Sequence, residues 1–354
     1  MATRRGFIAT LAAALTVPRL SWADAGDPAF LAAARQGEDF VLYGLGADGA
    51  ARFHVPLPAR GHAAAAHPTR PEAVAFARRP GTFALVIDCA RGGIAHRLSP
   101  PEGRQFNGHG AFSADGARLY TSEVVAETSE GRLGIWDAAG NYARITDLPT
   151  GGIGPHELRR LPDGGLVVAN GGIQTDPADR TKLNLATMRP NLAYLSPEGA
   201  LDEVVELAPE YRQLSIRHLA LGPDGATAFA MQWEGDPAEP VPLLGLHKRG
   251  AAARLCPPDE AEAWAMKGYA GSIAWAGARI ALTSPPGGVV HVFDAQGGFE
   301  RAIRRADVSG VAPLGDGLMV TDGTGAVSRI DGDGDGLAPL QRFDLAWDNH
   351  LVAL

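Results

Sequence analysis

The sequence predicts an all-β chain folded as a seven-bladed β-propeller, and three observations carry that prediction. A phrase built from a histidine, a short apolar-biased run and an Asp-Gly turn recurs at residues 109–116, 156–164 and 218–225, with a looser copy opening at Gly61-His62. In each copy a second apolar run follows the turn, which is the pattern of a β-hairpin. His62 and His109 are 47 residues apart, as are His109 and His156; a fixed period of this length fits a four-stranded propeller blade. Finally, the chain carries 45 Gly and 26 Pro, and helical periodicity is scarce, as expected of one turn-rich all-β domain.

Residues 1–23 read as an export signal and not as fold. Thr3-Arg4-Arg5-Gly6-Phe7-Ile8 is a twin-arginine start, residues 8–17 are an apolar core too short to span a bilayer, and Ser21-Trp22-Ala23 is a small-x-small cleavage site. A Sec signal that happens to carry two arginines would give the same destination. The expectation is therefore a periplasmic protein whose single propeller domain covers residues 24–354. Twin-arginine export carries folded cargo, which suits a protein that acquires a cofactor before leaving the cytoplasm.

The leader holds three of the 32 Lys and Arg, so 29 remain against 40 Asp and Glu, a balance of −11. That balance excludes nucleic acid as the expected partner. No other stretch has membrane-spanning length, so no membrane span and a monomer are expected. Cys89 and Cys256 fall in non-adjacent repeats and read as buried free thiols.

Two hairpins at Ser272 and Ser309 keep the pattern without the histidine. The last phrase, Asn349-His350-Leu351-Val352-Ala353-Leu354, is a first strand with no second strand after it. Its missing partner is at the other end, where residues 30–35 resemble residues 73–78. Pairing of the two termini within one blade would close the ring and remove exposed sheet edges. Third strands are marked by tags such as residues 85–88, 134–137 and 291–294. His54, His96, His247 and His291 fall in third or fourth strands, where packing or surface roles are expected. Residues 331–336, Asp-Gly-Asp-Gly-Asp-Gly, read as an acidic turn, because Arg342 stands where a calcium loop needs its closing Glu.

The first strand of a propeller blade lines the central channel. His62, His109, His156, His218 and His350 share the head of that strand, which is expected to place them at the channel mouth, and they belong to consecutive blades, while two blades offer Ser272 and Ser309 instead. Five neutral imidazoles converging on one point suit a transition-metal ion, iron or copper in preference to zinc, and an open side suits substrate or water. The second strand returns to the same face and ends in polar residues. Arg78, Glu123, Asn170, Gln232 and Asp322 are therefore expected to support the ligands or contact substrate, as are Glu157 and Arg217 beside the register histidines. The long insertion at residues 171–190 reads as a lid that includes Asp176, Lys182, Asn184 and Met188.

Gly61-His62, Gly108-His109-Gly110, Gly154-Pro155-His156-Glu157-Leu158, residues 170–173 through 188–192, Ile216-Arg217-His218-Leu219 and Trp347-Asp348-Asn349-His350 together resemble the bacterial exported family catalogued as domain of unknown function 1513. The resemblance covers nearly the entire mature chain. It implies a seven-bladed propeller encoded beside periplasmic iron-acquisition proteins, including imelysin-like peptidases and di-haem peroxidases, and it implies no established activity. Three functions stay open at this point: metal handling without catalysis, a metal-dependent redox or lyase-type enzyme, and an interaction scaffold without metal.

Overall fold

The computed structural model describes residues 20–354, apart from residues 79–80 and 332–335. Most of the expected leader and most of the acidic turn lie outside the described residues. Seven four-stranded antiparallel sheets follow one another along the chain. Their innermost strands are Gly61–Ala66, Arg104–Phe112, Pro155–Arg160, Leu214–Leu221, Ser272–Ala276, Val308–Leu314 and Ala346–Ala353. Blades 1 to 7 take their numbers from these strands in that order. Each innermost strand packs on the next, and the last packs on the first, so the ring is closed.

Closure runs through the two ends of the chain, as expected. Ala346–Ala353 pairs antiparallel with Phe30–Gln36, Phe30 facing Ala353 and Arg35 facing Ala346. Strand Phe30–Gln36 is thereby left without a free inner edge. Among the described residues one α-helix occurs, Glu260–Ala265, capped by the Asp259 carboxylate on the Glu262 amide. No helix among them is long and apolar enough to cross a membrane.

Burial explains the order of strands within a blade. Inner strands such as Ala84–Asp88 and Leu166–Asn170 are apolar almost throughout, because neighbouring blades cover both of their faces. The outermost strand Leu201–Glu206 is largely exposed. Apolar clusters fill the wedges between blades, as with Phe76, Phe106, Leu119 and Trp136 between blades 1 and 2, and Tyr194, Phe229 and Phe293 in a cluster that runs through blades 3, 4 and 5. Each fully buried ring of this kind stabilises the fold by about 1.5–3 kcal/mol.

The recurring Asp-Gly turn is also a clasp between blades. In residues 113–116 the Asp115 carboxylate accepts from the Ser113 hydroxyl and the Ala117 amide, and Gly116 takes φ +70°. A Cβ on Gly116 would stand 2.3 Å from the His67 ring, whose Nε2 lies 3.1 Å from the Gly116 carbonyl. His67 thus ties blade 1 to blade 2. Cys89 and Cys256 are buried and free.

Six of the seven innermost strands are irregular. The pairing with the second strand slips between Gly61 and Ala64, Phe106 and Gly110, Pro155 and Leu158, Ile216 and His218, and Val308 and Val311. It slips again opposite Ala32 and Ala34, where Asp348 to His350 bulge. A bulge re-aims the side chains it contains. Each of the five register histidines lies within or at the edge of such a bulge. Blade 5, which carries Ser272, has none.

Candidate metal centre

The bulges bring the five imidazoles together. Ring centroids of His109 lie 4.9, 4.6, 5.8 and 4.8 Å from those of His62, His156, His218 and His350, so His109 is the hub. His62 meets His350 at 4.5 Å, and His218 meets both His156 and His350 at 4.7 Å. Two triads could each hold a metal ion: His62, His109 and His156, and His109, His218 and His350. Within each, the ligand atoms lie within 4.8 Å of one another. Gly108 makes room for this approach, since a Cβ there would meet the His62 ring at 2.5 Å.

Their depth departs from expectation. His109, His156, His218 and His350 are only 3–6% exposed, so the cluster lies inside the channel and not at its mouth. The innermost strands of blades 2, 4 and 7 begin several residues before their histidines, at Arg104, Leu214 and Ala346, which places those rings in mid-strand. Burial, followed by the neighbouring imidazoles, holds His109 and His156 well below the usual histidine range and pushes His350 down to about 3. These rings are therefore neutral at physiological pH, as a metal ligand must be.

Donor chemistry fits a metal. Nε2 of His109, Nδ1 of His156 and Nε2 of His350 are buried and meet no hydrogen-bond partner among the described residues. Unpartnered buried polar atoms are costly unless something binds them. His218 Nδ1 lies 3.3 Å from Glu157 Oε2, leaving its Nε2 for a ligand. Glu157 also accepts the Leu219 amide at 3.1 Å and pairs with Arg159 at 2.7 Å. Burial alone would raise its pKa, but Arg159 and His218 outweigh that and hold it at about 2.

Of the polar residues expected to support the ligands, Glu157 alone touches a ring histidine among the described contacts. Glu123 is turned into its own blade, held bidentately by Arg144 at 2.8 and 2.9 Å and by Thr121 at 2.7 Å. Asn170 bonds Thr150 and Asn191, Gln232 donates to the Ala270 carbonyl, and Asp322 pairs with Arg305. Their strand ends do reach the expected face, yet the side chains are held by neighbouring strands, in the case of Glu123 and Asn170, or by segments beside the sheet, in the case of Gln232 and Asp322. Arg78 and Arg217 stay on that face, facing Asp348 and Glu234 at 4.0 and 3.8 Å.

The insertion at residues 171–190 is docked on that same face. Lys182 pairs with Glu234, Asn184 accepts the Gln174 amide at 2.7 Å and donates to the Gly172 carbonyl, and Met188 is fully buried beneath. Asp176 accepts the Ala178 amide. Full burial of Met188 makes it an anchor for the loop. His247 and His291 hold their expected packing roles, bonded to Tyr194 and Glu262.

Two residues at the centre escaped the sequence reading. Asp348, two residues before His350, is buried and binds Arg60 at 2.6 Å. Asn107, two before His109, donates across to the Pro155 carbonyl and joins blades 2 and 3. Both stand two residues ahead of a register histidine, and that offset was the only signal available.

Beyond the centre, on the face where the innermost strands end, the channel widens into a cavity of about 480 Å³. His109, Glu157, Arg159, Ser272 and His350 are among its lining residues. Trp22, in the short turn Trp22–Ala25 that contains the expected cleavage point, also lines it and donates to the His67 carbonyl at 2.9 Å.

Residues 55–354 match the family model described as "Protein of unknown function (DUF1513)". None of the curated proteins compared matches the sequence. Among solved structures, one described as "Streptogramin B lyase structure" is similar at 12% identity and TM-score 0.55, covering 80% of this chain and 84% of that one. A protein of unknown function from Bacteroides caccae is similar at 11% identity and TM-score 0.48, covering 92% of this chain and 98% of its own. At such identities the first likeness shows the fold alone.

Proposed function

The chain belongs to that family, DUF1513, and from its channel we propose that it binds a transition-metal ion through the histidine cluster, in metal handling. The observation that carries this reading is the set of three buried, unpartnered ring nitrogens on His109, His156 and His350. His62 and His218 complete the two triads. The donors are all imidazole, which suits iron, copper or zinc over calcium or magnesium. Each triad offers three imidazoles, a number that iron, copper and zinc all accept, and iron or copper is the ion proposed here. When bound, the ion would supply Lewis acidity or redox chemistry at the channel's centre. The twin-arginine pattern of residues 3–8 supports a periplasmic location, and the iron-acquisition neighbourhood implied by the family resemblance supports a role beside such proteins.

Elemental analysis of protein exported by its own leader tests the reading. The parent is expected to carry iron or copper, and His109→Ala with His156→Ala to lose it. Replacement of the exposed His54 by Ala should retain it. Equal metal in both variants would make the cluster structural and bring forward the interaction scaffold.

A second reading, a metal-dependent enzyme, is favoured by the cavity that reaches His109 and His350 with Glu157 and Arg159 in its wall. There Glu157 would orient His218, and Arg159 would meet a bound group. Turnover lost in Arg159→Met with metal content unchanged would support it.

A further inference from the structure

The face of the channel opposite the cavity carries an imbalance of charge that the metal reading does not use. Arg60 and Arg78 share one carboxylate, Asp348, at 2.6 and 4.0 Å. Lys182 and Arg217 share another, Glu234, and Lys182 holds it the more closely, leaving Arg217 at 3.8 Å. Four cations thus meet two anions. Arg180, from the docked loop, adds a further positive charge within electrostatic reach of both Arg78 and Arg217. The loop's own carboxylates, Asp176 and Asp179, keep their charge but bond the Ala178 and Thr181 amides, and neither forms an ion pair with these cations among the described residues.

Arg217 is the telling member. It is only 6% exposed, and its Nε is buried with no hydrogen-bond partner among the described residues. A buried guanidinium with a distant, shared counter-charge is costly, and a bidentate oxyanion is what its planar fork is shaped to bind. The Tyr269 hydroxyl, which accepts from Asn349 at 3.3 Å, lies within electrostatic range of the same two arginines and adds a neutral polar group.

We propose that this cluster is an anion site on the loop-bearing face of the channel. Its ligand is a small oxyanion with at least two negative charges, a polycarboxylate or a phosphate. The site takes that ligand whether or not a metal is bound, because none of its residues is a candidate metal ligand.

Calorimetric titration of metal-stripped, full-length protein with citrate and with inorganic phosphate, at ionic strength held constant by chloride, tests the proposal. At least one anion is expected to bind about one per chain. Affinity should fall about tenfold or more in Arg217→Gln, the loss of one charge-assisted pair, and severalfold in Arg78→Gln. His109→Ala should leave it within about twofold, which separates this site from the metal centre. Binding of citrate alone identifies a polycarboxylate ligand, of phosphate alone a phosphate, and of both a site that selects charge over shape. Failure of both anions to bind the parent overturns the proposal, as does binding unchanged in the two arginine variants. Should Arg217→Gln not fold, the half-exposed Arg78→Gln decides by itself.

Discussion

Gly108 shows how much of the centre rests on one missing side chain. Its φ of +95° lies where an L-residue is strained, and the His62 ring occupies the space a Cβ would need. Gly108→Ala is expected to cost about 1–2 kcal/mol through the backbone alone, and more as His62 is displaced from the cluster. Urea unfolding measures the first effect, and metal content the second. A variant that unfolds with the parent and keeps its metal would show that His62 has room to move. Cys89 illustrates the opposite case, a reactive residue type made inert by its surroundings. Burial pushes its thiol up to about 12, so no thiolate is available at pH 8. Ellman's reagent should label neither cysteine in the native protein, and both once guanidinium unfolds it; prompt labelling in the native state would contradict the burial of both.

At the level of elements, the C-terminal strand closes the ring and also carries a metal ligand. Deleting residues 349–354 removes His350, the partners of Phe30, Leu31 and Ala32, and the Leu354 amide bond to the Ala29 carbonyl. Strand Phe30–Gln36 would then present an open inner edge. Aggregation or loss of cooperative unfolding is expected in thermal and urea melts, and a deletion that melts like the parent would mean that closure lies elsewhere. The pairing of the termini was legible because residues 349–354 are a first strand without a second. The register of the histidines was legible for a related reason, since a 47-residue period relates His62, His109 and His156 and the same strand phrase marks His218 and His350. Their depth was not. It depends on bulges that insert extra residues at Asp348 to His350 or between Phe106 and Gly110, and nothing in an apolar run announces a slipped pairing. Glu123 and Asn170 were misread for a similar cause: their position on the face was visible, but their bonds to Arg144 and Thr150 come from strands distant in the repeat.

For the molecule as a whole, the histidine cluster sits where the blades meet, and its members come from blades 1, 2, 3, 4 and 7. Propeller blades otherwise pack chiefly on their neighbours, through wedges such as that of Phe76 and Phe106 or that of Tyr194 and Phe229. A metal held by His109 with His218 and His350 would join blades 2, 4 and 7, which are not all adjacent, and would satisfy ring nitrogens that are buried without partners. Binding to the folded chain alone stabilises it by about 2.7 kcal/mol at a free metal concentration one hundred times the dissociation constant. That corresponds to a rise of a few degrees in melting temperature for a chain of this size. Calorimetry of stripped protein titrated with ferrous or cupric ion is therefore expected to show a melting temperature that climbs with metal. The climb should vanish in the His109→Ala, His156→Ala protein, which removes the hub and one further ligand. The same variant is expected to melt higher than the stripped parent, because two desolvated imidazoles no longer need partners; the test compares each protein with and without metal and is unaffected. A parent that gains no stability from either ion would leave the cluster as packing, with the five rings serving only to fill the axis of the propeller.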